Sequence, residues 1–273
     1  MAKTVLITGA SAGIGKETAI YLAQNGYNVY GAARRTDKMQ DLIAYGIKPI
    51  EMDVTKDESV TTCVEQIFKE TGSIDILINN AGFGQYGAIE DVSIKDAQYQ
   101  LDVNVLGAMR VSQLVLPKMR ENKYGKIINI SSIGGKVSMP MGGWYHASKF
   151  AIEALSDAMR AEVKPFGIDV IVIEPGGIKS EWAGIAMDNL EKNSVNSAYL
   201  DTIRKMTKVM KELNARDDAN SQPIVIAKLV KTAIESNNPK TRYSAGTMAK
   251  QILFMRKILS DKLMDKLISR QFQ

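Results

Sequence analysis

The chain has one cysteine and one histidine in 273 residues. Cys63 alone excludes an internal disulfide and a cysteine metal cluster, and it falls in a helical stretch as a buried apolar residue. His146 alone cannot build a histidine metal site and is expected to pack or to wall a cleft. Proline is scarce, at seven residues, and no Pro/Gly/Ser linker divides the chain, which favours one domain. No run reaches the roughly 18 apolar residues of a membrane-spanning helix. Strand-like sequence begins within a few residues of Met1, so no signal peptide is expected. These absences predict a reducing, cytoplasmic setting. The net charge is only +5, and nothing resembles a nucleic-acid module.

Glycine, by contrast, is concentrated near the start. Thr4-Val5-Leu6-Ile7 reads as a buried strand, and Ile14 to Gln24 as a helix stopped by Asn25-Gly26. Between them lies Thr8-Gly9-Ala10-Ser11-Ala12-Gly13-Ile14-Gly15. A glycine-rich turn between strand and helix lets backbone approach a pyrophosphate, and the helix end offers free N–H groups. The spacing is Gly-x-x-x-Gly-x-Gly, not the commoner Gly-x-Gly-x-x-Gly. The same pattern also serves as a plain turn.

Strand and helix signals alternate from there. Strands are predicted at 28–32, 49–52, 74–79, 126–130 and 169–173. Helices are predicted at 38–45, from a Thr55-x-x-Glu58 capping box to about Thr71, from Ile94 to Met119 with a break near Val92-Ser93, and from Trp144 to Val163. This alternation predicts an α/β fold: a three-layer, Rossmann-type, doubly wound parallel sheet with helices on both faces. Ligands in such folds bind beyond the carboxyl ends of the strands. Ser11, Arg34, Asp53, Asn80, Ser132 and Pro175-Gly176 fall at those ends.

Tyr145-His146-Ala147-Ser148-Lys149 carries the chemistry. Among ten tyrosines, Tyr145 alone has a lysine four residues later. On a helix such residues share a face, with β-carbons about 5–6 Å apart. An ammonium there stabilises a phenolate, so the tyrosine is expected to trade a proton nearer neutral pH.

With these residues in place, the chain resembles the short-chain dehydrogenase/reductase family. Thr8-Gly9-x-x-x-Gly13-x-Gly15, Asp53, Asn79-Asn80-Ala81-Gly82, Asn104, Ser132, Tyr145-x-x-x-Lys149 and Pro175-Gly176 match in order and spacing, closely over residues 3–180 and loosely to 245. Ser180 departs from the family's usual threonine, but its hydroxyl can make the same contact. The general texture is similar to hydroxysteroid- and retinol-dehydrogenase-like members. The resemblance implies hydride transfer between nicotinamide and a carbonyl or secondary alcohol. Tyr145 would be the general acid/base, Lys149 would bind the ribose and favour the ionised tyrosine, Ser132 would hold the substrate oxygen, and Asn104 would position a water. It implies cofactor contacts at Gly9, Ser11, Gly13, Ile14, Gly15, Arg34, Asp53, Val54, Asn80, Ala81, Gly82, Pro175, Gly176, Ile178 and Ser180, with Tyr145 and Lys149. NAD-specific members carry an acidic residue at the end of the second strand. Ala33 stands there, followed by Arg34 and Arg35, and a guanidinium can grip a 2′-phosphate. The expected cofactor is NADP(H). A non-catalytic NADP(H)-binding redox-sensing regulator is the alternative, but such regulators often lack the tyrosine or lysine present here.

Substrate walls are expected from Phe83, Gln85, Tyr86, Ile133, Met139, Met141, Trp144 and Trp182, an apolar set that suits a lipophilic carbonyl compound. A polar, helical substrate lid is expected at about 184–222 within a domain of residues 1–245. Residues 246–273 read as a basic amphipathic helix, since 240–273 carry a net +6 and the other residues sum to −1. That helix can pack on its own domain, meet a second subunit of a homo-oligomer (dimer or tetramer), or touch an anionic membrane weakly. Packing beside the lid or a neighbouring subunit is expected to outweigh membrane contact.

Overall fold

The computed structural model describes residues 2–194, 197–215 and 219–270, with backbone alone at 182, 183, 209 and 211–215. Seven strands form one sheet among them. They are β1 (Thr4–Thr8), β2 (Asn28–Ala33), β3 (Lys48–Glu51), β4 (Ile76–Asn79), β5 (Gly125–Ile130), β6 (Ile168–Pro175) and β7 (Arg242–Ala245). The spatial order is β3-β2-β1-β4-β5-β6-β7, and each neighbouring pair is parallel. The chain winds outward from β1 to β3, then returns to place β4 on β1's other side. That reversal opens a crevice beyond the carboxyl ends of β1 and β4.

Helices cover both faces because the strands are apolar on both. Leu6, Tyr30, Leu77, Ile127 and Val170 point into one core, with Val60 and Ile67 of α2 (Asp57–Thr71) and Val111 and Val115 of α4 (Gly107–Glu121). Their strand neighbours Val5, Ile7, Ile76, Ile78 and Ile128 point into the other, against Leu22 of α1 (Gly13–Gln24) and Val230 of α8 (Ile224–Glu235). Alternation along a strand thus fills two layers at once. Cys63 is buried within α2, and burial pushes its thiol up to about 12. No helix among the described residues is long and apolar enough to cross a membrane.

Several elements differ from their sequence expectations. Thr55 does not cap α2: its hydroxyl donates to Asp53 Oδ1 at 2.8 Å, and the helix begins at Asp57. Residues Thr36–Tyr45 form a 3-10 helix instead of an α-helix. The long helix from Ile94 is three pieces: α3 (Ile94–Leu101), a π-helical segment (Asp102–Leu106) and α4. Its start is fixed by Ser93, whose Oγ accepts from Asp96 N–H at 3.1 Å. The C-terminal helix is two helices, α9 (Ala249–Ile258) and α10 (Asp261–Arg270), because Leu259 turns to extended backbone.

Candidate active site

The glycine turn joins β1 to α1. Gly9 and Gly13 have φ of 69° and 55°, in the left-handed region where side chains are strained. A Cβ on Gly9 would come within 2.9 Å of Ala81 Cα. α1 begins with no capping side chain and no acidic residue in its first turn. Its first N–H groups and positive dipole end therefore face the crevice without an internal anion. An uncapped helix end behind left-handed glycines fits a dinucleotide pyrophosphate. Ser180 closes the other side, with its Cβ 3.2 Å from where a Gly13 Cβ would stand. Ile14 packs partly into the core below.

The end of β2 carries two guanidinium groups that diverge. Arg34 Nη1 donates to Tyr99 Oη at 2.7 Å, and its charge helps hold the Asp53 carboxyl below its ordinary range. Burial is the largest single influence and opposes that shift, and the Thr55 N–H and hydroxyl lower the carboxyl more than Arg34 does. Arg35 Nη2 instead reaches the glycine turn, donating to Ser11 Oγ at 3.3 Å, with Glu181 at 3.6 Å. Arg35 is absent from the sequence-derived contact set, although it stands next to Arg34. Val54 is buried against Gly107, and its carbonyl accepts from Arg110 at 3.1 Å.

At the end of β4 the Asn80 amide braces the turn, donating to the Thr8 and Gly9 carbonyls at 3.0 and 3.2 Å. Thr8 Oγ1 accepts from the N–H groups of Asn80 and Ala81, both at 3.0 Å. Gly82 lies beside Asn104 and Lys149: its Cβ would fall 3.1 Å from Asn104 Oδ1 and 3.8 Å from Lys149 Nζ. Asn104 sits in the π-helical segment, a type of irregularity that often marks functional sites. Its amide accepts from Phe83 N–H and donates to the Phe83 carbonyl, both at 3.0 Å. One turn earlier, Gln100 accepts from Gln85 N–H at 2.6 Å and donates to the Phe83 carbonyl at 2.8 Å. The two amides stitch the Phe83–Gln85 loop to the helix. Gln100 is fully buried and was not singled out from sequence. Its signal is the four-residue spacing to Asn104.

Tyr145 and Lys149 lie on α5 (Gly143–Val163), and Ser132 caps the short 3-10 turn Ile133–Gly135 after β5. Ser132 Oγ accepts from Gly134 N–H at 3.0 Å, and Ser132 pulls the pKa of the Tyr145 hydroxyl down. Lys149 Nζ donates to the Ile130 carbonyl at 2.9 Å and sits 5.9 Å from the Tyr145 ring centre. His146 is buried, its Nδ1 3.0 Å from the Gly134 carbonyl. A Cβ on Gly142 would lie 2.8 Å from its Nε2. The imidazole therefore wedges between two glycine backbones and props the Ser132 turn. Burial lowers its pKa, so the neutral ring is favoured.

The electrostatics differ from the sequence expectation. Burial pushes the Tyr145 phenol up to about 12, against a smaller downward pull from Ser132. Burial also brings Lys149 down to about 8, opposed by the Glu153 carboxylate. With the crevice closed over them, desolvation penalises both charged forms and is the largest influence on each group.

Closure comes from α6 (Trp182–Lys192) and α7 (Leu200–Ala215). Tyr145 packs with Tyr86, Met141, Met187, Ile203 and Met206 in one cluster. The α6 amide of Asn189 and the Asn193 amide just past the helix donate to the Gly84 and Tyr86 carbonyls at 3.0 and 2.8 Å. Met187, Ile203 and Met206 were missed because the segment looks polar as a whole. Their signal is the apolar i, i+3 spacing of Ile203 and Met206. Of the expected walls, Gln85 is buried with Tyr86 and Met141, Phe83, Ile133 and Trp144 are half-buried, and Met139 is exposed. The Trp182 side chain lies outside the described residues.

Pro175 ends β6, and Gly176 N–H donates to the Ala245 carbonyl at 2.9 Å. Ile178 packs against the core and bridges to Ser221. The turn from Pro175 to Ser180 thus spans from β7 back to the glycine turn, over the crevice floor.

Comparison with known proteins identifies the family. A family model described as short chain dehydrogenase matches residues 3–191. VdlC, a probable short-chain type dehydrogenase/reductase of Helicobacter pylori, is 37% identical over 96% of this chain and 95% of its own. A 3-ketodihydrosphingosine reductase of Bacteroides thetaiotaomicron is 37% identical over 92% of this chain and 90% of its own. The crystal structure of a short-chain dehydrogenase from Streptomyces avermitilis superposes with a TM-score of 0.82 at 29% identity, covering 98% of this chain and 96% of that one.

Proposed function

Because the chain belongs to the short-chain dehydrogenase/reductase family, an oxidoreductase family, we propose that it is an NADP(H)-dependent reductase of lipophilic ketones, or in reverse a dehydrogenase of the matching secondary alcohols. One observation carries this reading. Ser132, Tyr145, Lys149 and Asn104 converge at the carboxyl ends of β4 and β5, beside an uncapped helix end that fits a pyrophosphate.

A nicotinamide held there would supply or accept the hydride. Ser132 Oγ orients the substrate oxygen next to the Tyr145 hydroxyl. During reduction the Tyr145 hydroxyl gives its proton to that oxygen as negative charge develops there; in oxidation the phenolate takes it back. Lys149, held by the Ile130 carbonyl, favours the phenolate and offers its remaining N–H groups to a ribose. Asn104 and Gln100 keep the Phe83–Gln85 wall in place. The helices α6 and α7, within a lid at about 184–222, exclude water from the phenol.

The preference for NADP(H) rests on Ala33 in place of an acidic residue and on the two arginines flanking the adenosine end. The lipophilic substrate rests on the Met and Ile side chains packed on Tyr145. The name of the Bacteroides relative, a reductase of a lipid ketone, agrees with that lining. NADPH oxidation against a panel of long-chain 3-keto lipids, steroids and small polar ketones tests the reading. Turnover is expected with the lipophilic members. Absence of turnover with every carbonyl compound, despite NADPH binding, would favour a regulator.

A further inference from the structure

The two C-terminal helices are packed on the domain along one side only. α9 lies against β7 and the Ile133–Gly135 turn, with Ala249 fully buried. α10 buries Met264. Their other large apolar residues include four that stay in water. Phe254 and Ile258 are 62% and 60% exposed, and Leu263 and Leu267 are 52% and 39% exposed. Each of these is an i, i+4 pair, so each helix presents two large side chains on one line. Burial that would have absorbed them inside the domain is not made.

Cations frame both pairs. Lys250 stands one turn before Phe254, and Lys257 lies three residues after it. Lys266 and Arg270 follow Leu263 and Leu267 at the same three-residue spacing. All four are exposed. Arg256 is engaged by Asp261 at 2.7 Å. Residues 249–270 hold six Lys/Arg and two Asp, a net +4 out of +5 for the chain.

We propose that α9 and α10 form a peripheral docking surface for an anionic lipid bilayer, with Phe254, Ile258, Leu263 and Leu267 entering the interface and Lys250, Lys257, Lys266 and Arg270 meeting the lipid phosphates. Charge decides between this occupant and a second copy of the chain. A two-fold contact places the same patch on both sides, so it would press +4 against +4. An anionic surface is complementary, and long basic side chains reach the headgroups while their stems cover apolar surface. The docked geometry also has a consequence for access. α9 starts directly behind the Pro175–Gly176 turn: a Gly176 Cβ would lie 3.0 Å from Ala249 N. Docking through this helix sets the catalytic end of the sheet close to the bilayer. The surface stands independently of the substrate reading, since vesicle binding is measured without turnover.

The test is flotation of the full-length protein with phosphatidylcholine vesicles and with vesicles containing phosphatidylserine. Binding to the anionic vesicles is expected to be about tenfold tighter or more. It should weaken with salt as the Debye length falls from about 30 Å at 0.01 M to about 8 Å at 0.15 M. Phe254→Ser with Ile258→Ser should reduce binding about tenfold, by removing apolar insertion. Lys257→Gln, Lys266→Gln and Arg270→Gln together should reduce it comparably, and these exposed positions leave the fold intact. Circular dichroism and subunit number should be unchanged in both variants. Equal binding to neutral and anionic vesicles, or binding to neither, overturns the proposal. A loss of subunits in the Phe254/Ile258 variant assigns the face to a second copy and overturns it equally.

Discussion

Asn104 donates to Ser148 Oγ at 3.0 Å, and Ser148 donates in turn to the Tyr145 carbonyl at 2.6 Å. The π-helical segment is thus tied to α5 one turn from the proposed proton donor. Ser148 is fully buried. Ser148→Ala removes a donor and an acceptor from a dry network, at a cost of about 1–3 kcal/mol. The melting temperature should fall accordingly, and turnover should drop because Tyr145 loses a fixed backbone position. Wild-type melting and turnover in this variant would show that the link positions nothing.

Tyr145→Phe separates packing from chemistry. The ring lies 5.9 Å from Tyr86 and contacts the methionine-lined cluster, contacts that phenylalanine keeps. The hydroxyl and its interaction with Ser132 are removed. Turnover is expected to fall about 10²–10⁴-fold, with NADPH affinity and folding retained. Steady-state kinetics and cofactor titration check this. A near wild-type rate would remove Tyr145 from the proton-transfer role.

The sheet and its crevice were legible because parallel strands read as short apolar runs between helices. Val5-Leu6-Ile7 and Ile76-Leu77-Ile78 bury every side chain, so composition alone marks them. Motif spacing likewise singled out Ser132, Tyr145 and Lys149, which the fold brings to the carboxyl ends of the strands. β7 escaped because Arg-Tyr-Ser-Ala is only half-buried at the sheet edge and has no apolar run. Burial raises the Tyr145 phenol, which spacing could not show, because spacing reports which residues are neighbours, not how much solvent is excluded. That exclusion comes from α6 and α7, far along the chain. The Thr55 cap failed for a local reason: Asp53 competes for the same hydroxyl.

Cofactor choice should depend on both arginines, through different contacts. Arg34 lies toward Asp53 and Tyr99, and Arg35 toward Ser11 on the glycine turn. A charge-assisted hydrogen bond contributes about 1.5–3 kcal/mol, or roughly ten- to a hundredfold in affinity. Arg34→Ala and Arg35→Ala should each weaken NADPH by up to that factor and leave NADH nearly unchanged. Fluorescence titration of both cofactors measures it. Equal affinity for NADPH and NADH in the wild type would sink the NADP assignment.

The last prediction concerns pH. Glu153 on α5 and Glu174 near the end of β6 are both buried and share two cations. Lys136 Nζ lies 2.8 Å from Glu153 but 4.0 Å from Glu174, and Arg242 Nε 2.9 Å from Glu153 but 3.7 Å from Glu174. The cations therefore serve Glu153 first. Burial, with the Glu153 charge beside it, pushes the Glu174 carboxyl from an ordinary 4.5 up to about 7. Asp157 adds to that push, and Lys136 and Arg242 oppose it. Between those two values the folded chain holds a proton that the unfolded chain has released. This contribution to stability is thus fully present below pH 4.5 and lost as pH rises through about 7. Glu174→Gln imitates the protonated form and should flatten that part of the profile, with its largest relative gain above pH 7. Thermal melts of both proteins across this range decide it. Parallel profiles for wild type and variant would mean that Glu174 stays ionised in the folded chain.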